Sequence, residues 1–362
     1  MEKLRFGTDG SFKIMQIADV QEIPAVSPDT MKLMELALEK EKPDLVVFTG
    51  DQIRGYDKSM RSSVPEKIVR ELIDKILSPV TKRNILFCVT FGNHDRQSGV
   101  PNCVQALMYR EYPSCVMGEG RTAEDAGTYS LPVFSSEGDR PAFNIYMLDT
   151  NSLSREGGYQ PLSAEQVAWL RTERERLMNE WGEYIPSFIF QHIPPREIYD
   201  ALVRVRRFTK GSVPAFRTHA HEYYKLPEEL YKKGMFMREC PAPADVNTGE
   251  FDAAAEKGDI TGIFFGHDHI NSFVVGYRGI DLGYTQGTGF NVYGPGRNRG
   301  VRVFELNKNS IRDYKTHTVT FGELTDGRFS NPLPELVYEY APLNIAKWAY
   351  SHMMKDVDGH PM

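Results

Sequence analysis

The sequence predicts an α/β fold with a largely parallel sheet, and three observations support this class. Stretches typical of strands and helices alternate in the first part of the chain, which is the pattern of βαβ units. The strands are continuous apolar runs, as expected of parallel strands that are buried on both faces. With 362 residues of ordinary globular composition, the chain can bury a large core as one big domain or as two.

The first elements follow from the spacing of apolar residues. Apolar side chains recur at helical intervals at Met31, Met34 and Leu38. A proline lies near the start of the second helix, where its fixed φ is tolerated. Together the elements predict a βαβαβ unit with strands Phe12–Ala18, Leu45–Thr49 and Ile85–Thr90 and helices Asp29–Lys40 and Pro65–Leu77.

Further strands are predicted around one long helix. A capping box at Ser163 and Gln166 begins this helix, which continues through Trp169 to Trp181. The predicted strands are Gly127–Val133 and Phe143–Leu148, as a hairpin or in succession, then Ser187–Gln191 and Ile260–Phe265, and finally an antiparallel meander of Phe273–Tyr277, Ile280–Tyr284 and Val301–Leu306.

The domain organisation follows from where regular patterns stop. Residues 1–321 are predicted to form one domain, and residues 194–259 to form an irregular lobe inserted near the mouth of the site. This lobe carries prolines and is rich in Arg, Lys and Tyr. Residues 322–362, which include Leu343–Met353, form a C-terminal extension to which the sequence assigns no role.

Charge, hydropathy and cysteine content argue against several classes of protein. A net charge of −6 disfavours a nucleic-acid surface, although a nuclease is kept as a less favoured alternative. Neither a signal peptide nor a membrane span is visible, so a cytoplasmic protein is expected. The oligomeric state is left open. Four cysteines without metal-site spacing are expected to be reduced, although Cys103 and Cys115 could pair; they are Cys88, Cys103, Cys115 and Cys240.

Residues that can bind metal ions follow the ends of several strands. Ligands of parallel sheets bind beyond the carboxyl ends of the strands, so these side chains are expected to converge. Carboxylate, amide and imidazole groups from several strand ends suit a pair of divalent cations. Each segment alone also fits a turn with polar caps, but all of them in this order is improbable as an accident. The segments are Asp19-Val20-Gln21, Gly50-Asp51-Gln52, Gly92-Asn93-His94-Asp95, His192 and Gly266-His267-Asp268-His269.

This series resembles the motifs of the calcineurin-like metallophosphoesterase superfamily, which are D-x-H, G-D-x-x-x-G, G-N-H-[DE], a single H, and G-H-x-H. Segments 246–251 and 300–306 are similar to the purple acid phosphatase-like branch, so the resemblance spans about residues 12 to 306. The resemblance implies a fold of two packed mixed β-sheets flanked by helices. It also implies a phosphorylated small molecule or another phosphoester as the substrate.

The resemblance further implies a centre of two divalent cations (Mn, Fe or Zn), in which a bridging hydroxide attacks a phosphomonoester or phosphodiester. Asp51 would bridge both cations, His94 would assist the leaving group, and Asp95 would orient His94. By family analogy alone, Asn247 and Arg299 approach the substrate. Asp19, His269 and residue 21 would hold the first cation, and Asn93, His192 and His267 the second.

One position departs from the family pattern, because Gln21 stands where the first motif has a histidine. Gln21 either binds the first cation weakly through its side-chain oxygen, which favours manganese or iron over zinc, or hydrogen-bonds a water on that cation. The same departure supports an alternative function, a catalytically weak or inactive binding protein on this scaffold.

Other polar residues are expected to have simpler roles. Purple enzymes carry a tyrosine three residues after the bridging aspartate, but Arg54 stands there, and Tyr56 lies two positions further on. An iron–tyrosinate colour is therefore not expected, and Arg54 is predicted to be a solvated loop residue rather than one that faces the substrate. A surface loop is predicted for His219-Ala220-His221-Glu222, and a solvated face for Arg204, Arg206, Arg207 and Lys210.

Overall fold

The computed structural model describes residues 3–340, and within them the chain forms three sheets and eight helices. The strands are β1 (Ser11–Ile17), β2 (Leu45–Thr49), β3 (Leu86–Thr90), β4 (Tyr129–Phe134), β5 (Pro141–Leu148), β6 (Ser187–Gln191), β7 (Val203–Val205), β8 (Val213–Pro214), β9 (Tyr223–Lys225), β10 (Phe236–Met237), β11 (Ile260–Phe265), β12 (Asn271–Tyr277), β13 (Ile280–Tyr284), β14 (Gly300–Asn307) and β15 (Lys315–Thr320). The helices are α1 (Pro28–Glu41), α2 (Pro65–Thr81), α3 (Asn102–Arg110), α4 (Ala164–Trp181), α5 (Glu228–Lys232), α6 (Glu250–Ala255), α7 (Phe321–Thr325) and α8 (Pro332–Tyr340).

The first sheet contains five strands in the order β15-β14-β1-β2-β3. Strands β1, β2 and β3 are parallel and are connected through α1 and α2, which confirms the predicted βαβαβ unit. Strand β14 returns from the far end of the chain and pairs antiparallel with β1, with Ile14 opposite Phe304. The carboxyl ends of β1, β2 and β3 therefore lie at one edge of this sheet.

The second sheet contains seven strands in the order β10-β12-β13-β11-β6-β5-β4. Its central strands β5, β6, β11 and β13 are parallel, whereas β4 and β12 pair antiparallel with their neighbours. The predicted hairpin is thus confirmed as β4 and β5. A small third sheet, β7-β9-β8, lies within residues 194–259.

The two large sheets pack against each other through aromatic side chains. Phe304 of β14 lies 4.4 Å from Phe264 of β11 and 5.7 Å from Phe188 of β6, measured between ring centroids. All three rings are fully buried. A second apolar cluster covers the opposite face of the seven-stranded sheet, where α4 and α6 contribute residues. The expected architecture of two packed mixed sheets flanked by helices is confirmed.

Several local predictions are confirmed, and one pairing is wrong. The capping box of Ser163 and Gln166 begins α4, and the four cysteines are free. The predicted meander exists only as β12 and β13, because the segment predicted at Val301–Leu306 lies in the first sheet as β14. Alternation of side chains predicts a strand but not its partner. In residues 3–340, no helix combines the length and hydropathy needed to cross a membrane.

The C-terminal extension is partly within the described residues. It contributes α7 and α8, which contact the rest of the fold near residues 296–298. The expected segment Leu343–Met353 lies outside the described residues.

Candidate metal centre

The residues at the strand ends of both large sheets meet in one buried cluster. Carboxyl ends of parallel strands converge at one edge of a sheet, and the packing of the two sheets brings both edges together. Carboxylates that follow the first sheet contact imidazoles that follow the second, at 3.2 Å from Asp51 to His192 and at 3.3 Å from Asp19 to His269. The cluster contains Asp19, Gln21, Asp51, Asn93 and His94 after β1, β2 and β3, and His192, His267 and His269 after β6 and β11.

Asp51 lies at the centre of the cluster and is buried. Its Oδ2 atom is 3.2 Å from His192 Nε2 and 3.1 Å from Gln21 Nε2. Its Oδ1 atom accepts a 2.7 Å hydrogen bond from the backbone N–H of His94. Burial alone would raise the pKa of Asp51, but His192 and His94 hold that pKa below its usual range. Asp51 is therefore a buried carboxylate with nitrogen atoms around both of its oxygens.

The side chains expected at the first cation position contact each other directly. Asp19 Oδ1 is 3.3 Å from His269 Nε2, and Asp19 Oδ2 accepts a 2.8 Å hydrogen bond from the backbone N–H of His267. His269 Nδ1 is 2.9 Å from the backbone carbonyl of Tyr293, which can only accept a hydrogen bond. This carbonyl fixes the ring so that Nε2 faces the cluster.

The side chains expected at the second position include polar atoms without hydrogen bonds. Within the described residues, both amide atoms of Asn93 and Nε2 of His267 are buried and have no hydrogen-bond partner. Such atoms are rare in native proteins unless a missing water or ion explains them. Asp19, Asp51 and His192 also offer ligand atoms within 4.8 Å of one another. The donor set therefore fits a divalent cation.

His192 is held between two acceptors in this second position. Its Nδ1 is 3.0 Å from the backbone carbonyl of Thr49, and its Nε2 is 3.2 Å from Asp51 Oδ2. Burial would lower the pKa of His192, but the charge of Asp51 raises it to about 10. A cation that bound here would displace a proton from this ring.

Gln21 presents its amide nitrogen, not its oxygen, to the cluster. The Nε2 atom is 3.1 Å from Asp51 Oδ2 and 3.0 Å from His269 Nε2. The Oε1 atom accepts a 3.2 Å hydrogen bond from the hydroxyl of Tyr56. The side-chain oxygen through which Gln21 is expected to bind a cation is therefore engaged by Tyr56.

His94 joins the cluster, but Asp95 does not orient it as expected. The Nδ1 atom of His94 is 2.6 Å from Gln97 Oε1, so Gln97 orients the ring. Asp95 instead accepts hydrogen bonds of 2.8–3.0 Å from the backbone N–H groups of Asp51, Ile53 and Gly92. Asp95 therefore stabilises the loops after β2 and β3, because its carboxylate oxygens accept hydrogen bonds from backbone N–H groups and not from the His94 ring.

The two residues expected to approach the substrate lie elsewhere. Asn247 donates a 2.7 Å hydrogen bond to Glu197 and lines a separate small cleft. Arg299 is fully buried, pairs with Glu335 at 2.9 Å, and donates to the backbone carbonyls of Gly289 and Val292. The hydrogen bonds of both residues thus go to the scaffold and not to the residues of the cluster.

The loop after β2 also differs from its prediction. Arg54 is only 2% exposed, so it is not a solvated loop residue. Its guanidinium lies 3.7 Å from the carboxylate of Asp57 and 5.0 Å from the ring of Tyr56. His219 Nε2 contacts the guanidinium of Arg196 at 2.9 Å, which does not suit a metal ligand and agrees with the surface loop predicted there.

A cavity of about 240 Å³ opens onto the cluster and is lined by aromatic side chains. The described residues that line it include histidines and acidic residues but no lysine or arginine. Loops without periodic patterns contribute Tyr159, Phe216, Glu239 and Tyr293, so no sequence pattern points to them. The ring contacts are Tyr56 with His94 at 4.5 Å, Tyr159 with His267 at 4.4 Å, Tyr159 with Phe216 at 5.5 Å, and Tyr293 with His269 at 4.3 Å.

Comparison with known proteins gives a family and a fold. The profile of the calcineurin-like phosphoesterase family matches residues 12–271 of this chain. Among curated relatives, "Probable inactive purple acid phosphatase 14" of Arabidopsis thaliana is 26% identical over 341 residues, covering 84% of this chain and 77% of the relative. "Phosphatase DCR2" of Saccharomyces cerevisiae is 26% identical over 349 residues, covering 87% of this chain and 55% of the relative.

A solved structure shares the fold. A dimetal phosphatase from Danio rerio is similar with a TM-score of 0.50 and 13% sequence identity, covering 86% of this chain and 99% of that chain. At this identity the similarity establishes the architecture alone. It agrees with the two packed sheets described above.

Proposed function

Since this chain belongs to the calcineurin-like phosphoesterase family, we propose that it is a metal-dependent hydrolase of phosphomonoesters or phosphodiesters. The observation that carries the proposal is the convergence of Asp51 and His192 at 3.2 Å, beside buried Asn93 and His267 atoms that have no hydrogen-bond partner among the described residues. Such a buried polar cluster is costly to maintain unless something binds there.

The cluster offers two positions for divalent cations such as Mn, Fe or Zn, with Asp51 between them. Cations held there would lower the pKa of a coordinated water and offset the charge of the phosphate. The described residues that line the cavity include no lysine or arginine, which supports a role for the cations in offsetting the phosphate charge. Asp19 and His269 would serve the first position, and Asn93, His192 and His267 the second.

His94 is the proposed proton donor to the leaving-group oxygen. Its Nε2 lies 3.9 Å from Asp51 Oδ2, and Gln97 fixes its Nδ1, so Nε2 can face a phosphoester bound beside Asp51. The ring also packs edge-on against Tyr56, which limits its rotation. A positioned acid of this kind contributes about 10²–10⁴-fold to the rate.

The substrate proposed for this cavity is a small phosphoester with an apolar or aromatic group. Tyr56, Tyr159, Phe216 and Tyr293 line the cavity and offer ring faces and edges to such a group. Both monoesters and diesters are compatible with this lining.

Hydrolysis of aryl phosphates tests the proposal. With added Mn²⁺, we expect turnover of a nitrophenyl phosphate monoester or diester by the native protein. His94→Ala should lower the rate by about 10²–10⁴-fold, because the proton donor is lost. Asp51→Asn should abolish both turnover and cation retention. The matched control is His317→Ala, since His317 is a half-exposed histidine on β15 whose Nε2 lies 3.3 Å from Glu41. Undiminished turnover by His94→Ala and Asp51→Asn would contradict the proposal.

A second candidate function is a binding protein without catalytic activity. It is supported by Gln21 in place of a histidine and by a relative whose name includes "Probable inactive". Failure of the pure native protein to turn over either ester with Mn²⁺, although it retains the cation, would favour this candidate.

A further inference from the structure

The Gln21 carboxamide occupies the space between two ligands expected for the first cation. Its Nε2 lies 3.1 Å from Asp51 Oδ2 and 3.0 Å from His269 Nε2. A carboxylate can only accept hydrogen bonds, so the amide directs an N–H group at Asp51. A cation bound between Asp51 and His269 would face these N–H groups, which carry partial positive charge and cannot donate electrons to it.

The other end of the same carboxamide is held as well. Gln21 Oε1 accepts a hydrogen bond from the Tyr56 hydroxyl at 3.2 Å, and both side chains are buried. The amide orientation is thus set by its neighbours, with oxygen towards a hydroxyl and nitrogen towards a carboxylate. Turning the amide over would bring two oxygen atoms together at Asp51, unless a cation entered between them.

The second position contains buried ligand atoms that no hydrogen bond from the described residues satisfies. Within residues 3–340, both amide atoms of Asn93 and Nε2 of His267 are buried without hydrogen-bond partners, so no side chain takes the place of a cation there. At the first position Asp19 Oδ1 also lacks a hydrogen-bond partner among the described residues, but there the Gln21 amide nitrogen contacts both Asp51 and His269. The difference between the two positions is therefore this amide.

We infer that the Gln21 amide takes the place of the first cation, so that the centre holds a single cation at Asp51, Asn93, His192 and His267. This inference rests on the proposed function only in assuming that the cluster binds divalent cations. A second cation can enter only if the amide turns over and the Tyr56 hydroxyl accepts a hydrogen bond instead of donating one. A tyrosine hydroxyl can either donate or accept a hydrogen bond. The ligands of the first position are therefore still present, but the amide blocks a cation from binding to them.

Metal content and electron paramagnetic resonance of Mn²⁺-equilibrated protein test the inference without using activity. We expect one retained Mn²⁺ per chain in the native protein, with the spectrum of an isolated ion. Gln21→His supplies the ligand of the family motif, and Gln21→Ala removes the amide. Each should retain a second Mn²⁺ per chain, and the spectrum should become that of an exchange-coupled pair.

The matched control is Asn309→His, which adds a histidine at an exposed residue in the turn after β14. This turn lies at the end of the first sheet opposite the cluster, because Asn307 pairs with Ser11 at the start of β1. The control variant should retain one Mn²⁺, like the native protein. Two coupled Mn²⁺ ions in the native protein, or a single ion in both Gln21 variants, would overturn the inference. One ion without turnover would reject the proposed function and leave this inference standing. Turnover by a native protein that holds two Mn²⁺ ions would support the proposed function and reject this inference.

Discussion

At the scale of single residues, unusual backbone conformations aim the side chains of the site. Asp19, Gln21, Asp51 and His267 have positive φ values of 51°, 37°, 52° and 75°. Residues other than glycine seldom adopt this region, at a cost of about 1–2 kcal/mol each. Such residues cluster at functional sites, where the surrounding structure holds them in place. The chain therefore turns sharply after each strand and directs these residues towards the common centre.

Gly92 keeps the space that Asp51 needs. A Cβ atom at residue 92 would lie 2.2 Å from Asp51 Oδ1 and 2.6 Å from its backbone nitrogen. We expect Gly92→Ala to displace the Asp51 carboxylate, to lower stability by about 1–3 kcal/mol, and to abolish Mn²⁺ retention. Metal content and thermal unfolding measure these effects.

The control for this substitution is Gly276→Ala, at the exposed position of β12, where the new atom would meet Asp281 at an ordinary 3.5 Å. It should behave as the native protein does. Native metal content in Gly92→Ala would show that the position of Asp51 does not depend on the absence of this side chain.

Much of the cluster could be predicted from the sequence, for a geometric reason. Asp19, Asp51 and His192 directly follow or lie near the ends of apolar strands, and parallel strands bring such residues together. No local chemistry supports the analogy for Asn247 and Arg299, and these two residues contact Glu197 and Glu335 instead of the cluster. The contribution of Gln97 and of the aromatic lining depends on loop conformations, which no short-range pattern encodes.

At the scale of elements, the strands were more predictable than their partners. Leu45–Thr49, Ser187–Gln191 and Ile280–Tyr284 are continuous apolar or alternating runs, and their observed bounds equal the predicted ones. Strand β14 has an equally clear pattern, but it pairs with β1, which lies nearly the whole domain away in sequence. Residues between β6 and β11 form only short elements, because their many polar and proline residues interrupt any periodicity.

Helix α8 contributes a buried ion pair to the loop that precedes β14. Arg299 Nε is 2.9 Å from Glu335 Oε2, and both side chains are buried. We expect Glu335→Ala to lower the free energy of unfolding by about 3–5 kcal/mol, because the charge of Arg299 would remain buried without its partner. Urea denaturation measures the change.

A surface pair provides the comparison for this prediction. Arg278 and Asp252 form a 2.8 Å ion pair in which both side chains are more than half exposed. Asp252→Ala should change stability by less than about 1 kcal/mol. The double variant Arg299→Met with Glu335→Leu should lose less stability than Glu335→Ala, since it leaves no buried charge. An equal loss in Asp252→Ala and Glu335→Ala would contradict the role assigned to α8.

At the scale of the whole molecule, the packing of the two sheets creates the site. Phe304 on β14 of the first sheet packs against Phe264 on β11 of the second, so the two sheets lie face to face. Neither sheet alone supplies a complete set of ligands, because Asp19 and Asp51 follow one sheet and His192 and His267 the other. The relative placement of two sheets is a long-range property, and the motif resemblance indicated it where periodicity could not.

Global stability should depend on pH through Glu250, at the start of α6. Burial raises the pKa of Glu250 from 4.5 to about 8, and its Oε1 has no hydrogen-bond partner within the described residues. The unfolded chain would lose this proton near pH 4.5 and the folded chain only near pH 8. Between these values the unfolded state binds fewer protons, so stability should fall as pH rises, by up to about 1.4 kcal/mol per pH unit.

Glu250→Gln should remove this dependence, because the amide does not ionise. We expect the variant to unfold at a higher urea concentration than the native protein at pH 8 and at a similar one at pH 4.5. Glu137→Gln, at a side chain that is 87% exposed, is the control and should leave the pH dependence unchanged. Parallel pH profiles for Glu250→Gln and the native protein would show that Glu250 does not titrate in this way.

Anomalous diffraction from crystals equilibrated with Mn²⁺ would show most directly whether these strand ends form a metal centre. We predict a strong peak at bonding distance from Asp51, Asn93, His192 and His267. The Gln21 amide should still face Asp51 and His269. Strong peaks elsewhere with none among those four residues would contradict the metal centre itself.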